Sequence, residues 1–311
     1  MKMIDADQIA ALTNWPMIVQ ALHDGHRGER AQLGDTLLGE GERKMLVRSA
    51  WVPGVGAGVK AVTVFPDNPS RTPALPSVQG QVLIFDPQTG AVAASLPGGP
   101  ITHWKTAGDS ALAASLLARE NAAVFLMVGA GAMAEPLIRA HCSVRPGLQT
   151  VLIHNRNAQR AEQLAARLTD LGREVQVVTD LHTAVSQADI ISTATLATEP
   201  FIEGRWLAPG VHLDLVGAYT PTMREADDET MRRGAVFVDS FDSTIEHIGE
   251  IRIPLQTGVL TRDDLQGDMY DLVQKRAGRR DADQITVFKN GGGAHLDVMV
   301  SAAIVAAAGA C

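Results

Sequence analysis

The stretch AAVFLMVGAGAMA, residues 122–134, decides the architecture. A short apolar run reads as a strand, and the glycines arrive where that strand would have to turn. Gly129 permits a tight turn, and Gly131 leaves no side chain where a pyrophosphate would approach a helix N-terminus. Ala134 lets the following helix, Ala134 to His141, lie close on the strand. A lone GxGxxG/A pattern is weak. Here it follows a strand, opens a helix and is succeeded by a second strand, which is the context a dinucleotide site requires. Ala132 and Met133 complete the same turn.

Downstream, apolar runs at 150–155, 175–178, 189–194, 211–217 and 235–240 alternate with helical segments. That alternation builds a parallel sheet with helices on both faces, a Rossmann-type α/β domain. At the end of its second strand an NAD enzyme usually places Asp or Glu for the ribose hydroxyls. This chain has His154, Asn155, Arg156 and Asn157 there, with Arg160 one turn on. A missing acid with added arginines favours a ribose 2′-phosphate, so NADPH is the expected cofactor and NADH the alternative.

Upstream the pattern differs. Residues 6–25 have helical spacing, and a polar, glycine-broken stretch runs to about residue 44. Strand-like runs follow at 45–52, 57–65, 78–85 and 91–96, with DPQTG (86–90) as a hairpin turn. This predicts an antiparallel sheet. A helix follows with Thr102 as N-cap, and the C-terminal ITVFKNGGGAHLDVMVSAAIVAAAGA reads as strand, turn and Ala-rich helix packing back on that sheet. The expected division is an α+β substrate-binding and dimerisation domain, residues 1–118 with 291–311, and an NAD(P)-binding Rossmann domain, residues 119–290.

Composition narrows the function classes. The chain of 311 residues carries 44 alanines against 13 aromatics, so its core is built from small and branched aliphatics. Few aromatics argue against base stacking, and a net charge of −8 argues against phosphate backbones and anionic membranes. Cys142 and Cys311 show neither disulfide nor metal spacing, and His103, His154, His247 and His295 share none, so no metal is expected. The N-terminus lacks a signal-peptide pattern and the apolar tail at 298–311 is short for a bilayer, which makes cytoplasm the expected compartment. The acidic run MREADDE (223–229) reads as a helix start.

Against that acidic background a few cations stand out. In VKAVTVF, period-two alternation puts Lys60 on one face with Val62 and Val64, an apolar wall in which an ammonium needs an anion. A lysine snorkelling at a strand edge is the alternative. Lys105, in the first turn of the helix after Thr102, would hold an anion against the helix N-terminus, and Arg48 could supply a further cation, although an exposed strand arginine is the favoured reading of its position alone.

GVKAVTVFPDNP, IFDPQTG, ITHWKTAGDSALAA, VGAGAMA, ADIISTATLATEP, WLAPGVHLDLVGA, MREADDE and ITVFKNGGGAHLD occur in that order. Together they resemble the ornithine cyclodeaminase and mu-crystallin family from about residue 45 to 305, in a pattern nearest its ketimine reductase members. The resemblance implies a homodimer binding NAD(P) and a small imine or amino acid. It implies that Lys60 contacts substrate, that Ser77 lies near substrate and nicotinamide, and that Thr195, Leu196, Val216 and Asn290 line the cofactor. Lys105 and its neighbour Thr106 fall in the segment that meets both ligands, with Lys105 replacing the family's carboxylate-clamping arginine, a bidentate fork exchanged for a point charge.

Cyclodeaminases carry a catalytic aspartate two residues after the glycine of the VHLDLVG-like strand. Tyr219 stands there in this chain, beside the cofactor segment. The family's upstream arginine is also missing, with Asp35 and Thr36 in its region, and Arg43 or Arg48 could compensate. The resemblance therefore implies NAD(P)H-dependent reduction of a small cyclic imine acid, 1-pyrroline-2-carboxylate to L-proline. Lys60 and Lys105 are the expected catalytic residues, and Arg48, Lys60, Ser77 and Lys105 the substrate contacts. Ornithine cyclodeaminase, and a cofactor-bound binding protein without turnover, are the alternatives.

Overall fold

A computed structural model describes residues 1–309; Ala310 and Cys311 lie outside the described residues. The chain divides into two compact units, one from Met1–Lys105 with residues 293–309, the other Thr106–Gly292. The helix Gly98–Leu117 runs through the first boundary, which therefore falls at Lys105 and Thr106 instead of near residue 118. Apolar patterning changes only where that helix ends, whereas its packing partners change part-way along it.

The first unit is a six-stranded sheet of β1 (Lys2–Met3), β2 (Gln32–Glu40), β3 (Arg43–Val52), β4 (Gly56–Val64), β5 (Val78–Phe85) and β6 (Val92–Pro97). Its order is β1-β6-β5-β4-β3-β2, antiparallel from β2 to β6, with β1 added parallel to β6. Strand β2 occupies the stretch expected to be irregular. It is an edge strand with both faces largely exposed, so it needs no apolar alternation, and Gly34 and Gly39 disguise it further. The expected helix over 6–25 is two, Ala6–Leu12 and Trp15–His26, separated where Asn14 caps the second by accepting from Met17 N.

Register fixes which side chains share a face. Asp35 pairs with Arg48, Arg48 with Lys60, and Lys60 with Val82, so a row of charge crosses the sheet on the same side as buried Ala50 and Ile84. The helix Ala294–Ala307 packs on β3, β4 and β5, and its residues 294–301 are all buried.

The second unit is an eight-stranded, wholly parallel sheet. Its strands are β7 (Val124–Val128), β8 (Thr150–His154), β9 (Glu174–Val177), β10 (Ile190–Thr193), β11 (His212–Leu215), β12 (Ala235–Val238), β13 (Leu265–Asp268) and β14 (Thr286–Lys289). They run in the order β13-β12-β14-β11-β10-β7-β8-β9. The central strands β10, β11, β12 and β14 are buried throughout, as sheets covered by helices on both faces demand. β7 is flanked by β8 on one side and β10 on the other, so the chain reverses its winding there and a crevice opens beyond the strand ends. No helix among the described residues is long and apolar enough to cross a membrane.

Candidate active site

The turn after β7 lies in that crevice. Gly129 adopts φ +111°, and a Cβ there would sit 2.6 Å from the Ala194 carbonyl oxygen, so the position requires glycine twice over. A Cβ at Gly131 would meet nothing within 4 Å. Gly131 is exposed, and it, Ala132 and Met133 precede the helix Ala134–Val144 with their N–H groups outside its ladder. Open space and amide donors at a helix start suit a pyrophosphate. They border a cavity of about 350 Å³ walled by Gly129, Gly131, His154, Arg156, Arg160 and Thr195.

Asn155 shapes this cradle from the end of β8. Its Oδ1 accepts from Ala130 N at 3.2 Å and its Nδ2 donates to the Asn157 carbonyl at 2.8 Å. Asn157 caps the next helix by accepting from Arg160 N. Arg156 and Arg160 are exposed at the cavity wall, which also includes Leu196 and Glu199.

A residue that motif reading missed holds the far wall. The carboxylate of Glu225, fully buried, takes four hydrogen bonds: from Thr193 Oγ1 (2.8 Å), Thr195 N (2.8 Å), Thr195 Oγ1 (2.7 Å) and Gly217 N (2.7 Å). It thereby joins the loops leaving β10 and β11. Glu250 accepts from the backbone N–H groups of Glu225 and Ala226, and burial together with the Glu225 charge pushes its carboxyl up to about 7. Of the run read as a helix start, Asp227 does cap Asp228–Arg233, but Glu225 points into the core.

In the first unit the site is a cluster of two lysines and an aspartate. Lys60 Nζ donates to Asp297 Oδ1 at 3.1 Å and to Thr102 Oγ1 at 2.7 Å. Lys105 Nζ donates to Asp297 Oδ2 at 2.9 Å and to the Gly293 carbonyl at 3.3 Å. The three side chains are 9%, 4% and 2% exposed, so Lys60 is no snorkelling edge residue. Burial draws the Lys105 ammonium down to about 8 even though Asp297 opposes the fall, with Lys60 and Arg48 adding to it. Burial would raise the Asp297 carboxyl, but Lys105 and Lys60 hold it below its ordinary value.

Two expectations about this cluster need correction. The helix begins at Gly98, not after Thr102, and Thr102 donates back to the Gly98 carbonyl at 2.8 Å as an interior residue. Lys105 is consequently two turns into the helix, and the partner that balances it is a carboxylate instead of the free amides of a helix start. Asp297 had a readable signal: it is the one acid in the largely apolar helix AHLDVMVSAAIVAA, where a buried charge demands a partner.

The remaining candidates separate. Arg48 lies beside Lys60 in register, and its guanidinium meets Asp35 at 2.8 and 2.9 Å. Arg43 lies on the opposite face, 3.7 Å from Asp67 and 5.6 Å from the Phe65 ring centre. Ser77 is half-buried before β5 and accepts from Phe65 N through its carbonyl. Thr106 and Asn290 meet each other, since the Asn290 amide donates to the Thr106 carbonyl at 3.0 Å and to Ser110 Oγ at 3.1 Å. Val216 is half-buried at the end of β11, and Tyr219 is 66% exposed.

Residues 43–308 match the ornithine cyclodeaminase/mu-crystallin family model. The chain belongs to that family. Among its relatives, the Delta(1)-pyrroline-2-carboxylate reductase of Paracoccus denitrificans is 47% identical over 292 residues, covering 94% of this chain and 92% of that one. The Colwellia psychrerythraea protein of the same name is 35% identical over 80% and 79% of the two chains. Among solved structures, the Thermococcus litoralis Delta(1)-pyrroline-2-carboxylate reductase in complex with NADH and L-proline superposes with a TM-score of 0.91. It is 27% identical, over 99% of this chain and 97% of that one. The iminosuccinate reductase of Paracoccus denitrificans in complex with NAD+ also gives 0.91, at 25% identity over 99% and 96%.

Proposed function

We propose that this protein reduces a small cyclic imine acid, 1-pyrroline-2-carboxylate, to L-proline with a reduced nicotinamide dinucleotide. The observation that carries the reading is the pair of buried ammonium groups converging on one carboxylate in the first unit. Two buried ammonium groups brought to one place suit a substrate carboxylate. The family relatives named as pyrroline-2-carboxylate reductases support the same substrate.

When bound, the nicotinamide supplies a hydride for the C=N carbon. The chain's residues perform the rest. Lys60 and Lys105 anchor the carboxylate; Thr102 and Asp297 engage two of the Lys60 protons, and an ammonium has a third to donate. The carbon accepts hydride readily only when the ring nitrogen is protonated, and Lys60 is the group placed to hold that proton near it. Gly129, Gly131, Ala132 and Met133 cradle the pyrophosphate, while Asn155, Asn157 and Glu225 fix the loops around it.

Tyr219 argues against cyclodeamination, because a phenol exposed to solvent cannot replace an aspartate that accepts a proton and places water. Purified protein given NADPH or NADH and 1-pyrroline-2-carboxylate should consume reduced nicotinamide. Ammonia release from L-ornithine with catalytic NAD+, and no consumption with the imine, would overturn the reading in favour of the lyase.

Three finer points belong to the proposal. Arg156 and Arg160, with no acid at the end of β8, support NADPH over NADH. Leu38, Met45 and Trp51 lie exposed on the outer face of the six-stranded sheet, beside half-buried Val47 and Val59. An apolar face of this kind supports a homodimer formed through that sheet, making the first unit the substrate and dimerisation domain. A buried thiol at Cys142, pushed up to about 11 by burial, agrees with a reducing cytoplasm.

A further inference from the structure

Lys60 and Lys105 come from different elements, β4 and the helix Gly98–Leu117, and arrive side by side in a buried place where like charges repel. We propose that Asp297 is a positioning residue, which holds the two ammonium groups together and supplies the counter-charge their burial requires before substrate arrives. The inference rests on the reading of the lysine pair as the substrate's carboxylate anchor.

Geometry carries it. Asp297 gives a separate oxygen to each lysine, Oδ1 to Lys60 at 3.1 Å and Oδ2 to Lys105 at 2.9 Å, so one rigid planar group sets their spacing. Its own backbone is fixed: it is the fourth residue of the helix Ala294–Ala307, which packs on β3, β4 and β5. A buried carboxylate without partners is strongly disfavoured, and a buried ammonium likewise, so each group makes the others tolerable.

Among the groups acting on Lys105, Asp297 favours its charge, while Lys60 from β4 and Arg48 from β3 disfavour it. His295, on the same helix as Asp297, is held neutral by burial, with His26, Lys105, Arg48 and Arg30 acting in the same sense. Asp35 is engaged with Arg48. Without the Asp297 charge, burial and repulsion would weigh more heavily on Lys105, and it would shed its proton at lower pH.

The test compares the full-length wild type with Asp297→Asn and Asp297→Glu. kcat/KM for 1-pyrroline-2-carboxylate is measured from about pH 6 to about pH 10, bracketing the lysine transition. Calorimetric binding of pyrrole-2-carboxylate, a planar carboxylate that cannot be reduced in this way, is measured over the same range. Asp297→Asn should raise KM about tenfold with a smaller change in kcat, and should move the alkaline loss of binding down by about one pH unit. NADH affinity should be unchanged. Asp297→Glu, which keeps the charge but shifts its place, should raise KM while leaving the alkaline limb where it was. A merely structural role would lower the active fraction without moving the limb.

An alkaline limb and KM in Asp297→Asn equal to wild type would overturn the proposal. If Asp297→Asn fails to fold, a limb displaced downward in Asp297→Glu would overturn it. Failure of the substrate reading is distinguishable. A wild type that does not turn over the imine refutes that reading, while the pyrrole-2-carboxylate limb still decides the role of Asp297.

Discussion

Glu225 Oε1 accepts both polar hydrogens of Thr195, the backbone N–H at 2.8 Å and the hydroxyl at 2.7 Å. Thr195 walls the nucleotide cavity, whereas Glu225 does not touch it. Glu225→Gln would turn an amide NH2 toward donors and lose part of the clamp. We expect NADH to bind about tenfold more weakly, a loss of ~1.4 kcal/mol, with KM for the imine nearly unchanged. Isothermal titration with NADH checks it.

The two glycines of the turn should fail differently. Gly129→Ala forces a side chain into a positive-φ backbone 2.6 Å from the Ala194 carbonyl, costing about 1–3 kcal/mol of stability. Gly131→Val has free space for its Cβ, so thermal stability should stay near wild type while cofactor binding is lost, if that space holds the pyrophosphate as proposed. Melting curves with and without NADPH separate the two.

Replacing Arg156 with Asp removes a cation at the cavity wall and adds an acceptor for a ribose hydroxyl. The NADPH-to-NADH ratio of kcat/KM should fall at least about tenfold, the scale of one charged contact. An unchanged ratio would mean that Arg156 is only a solvated surface charge.

The outer sheet face makes a prediction about assembly. Trp51 is 59% exposed on the same face of β3 as Met45, and Trp51→Glu would set a charge in the proposed dimer face. Sedimentation velocity should then shift from dimer toward monomer. A wild type that sediments as monomer at all concentrations would refute the interface.

The parallel sheet was legible because covered strands must be apolar runs, and the turn at Gly129 because a positive φ and a close carbonyl leave one residue type. Lys60 was legible because strand alternation names the face of a side chain without knowledge of its partner. What lies opposite was harder. Lys105 stands out in the sequence, but its helix starts five residues earlier than the pattern suggests, since Thr102 resembles a cap while bonding back to Gly98. Asp297 lies 237 residues from Lys60 in sequence, and no local pattern encodes that meeting. Glu225 was hidden in an acidic run whose other members do what such runs usually do. Strand β2 was invisible because an exposed edge carries no burial pattern.

The most direct measurement is the reduction of 1-pyrroline-2-carboxylate followed by loss of reduced nicotinamide absorbance, in wild type and Lys60→Ala, as a function of pH. The carboxylate anchor works only while Lys105 is protonated, so activity should be full below its transition and lost as pH rises through about 8. Wild type should consume NADPH and form L-proline, and Lys60→Ala should lose at least about a hundredfold in kcat/KM, the scale of removing a charged anchor and proton donor. No turnover of the imine by wild type, or wild-type kinetics in Lys60→Ala, would contradict the account.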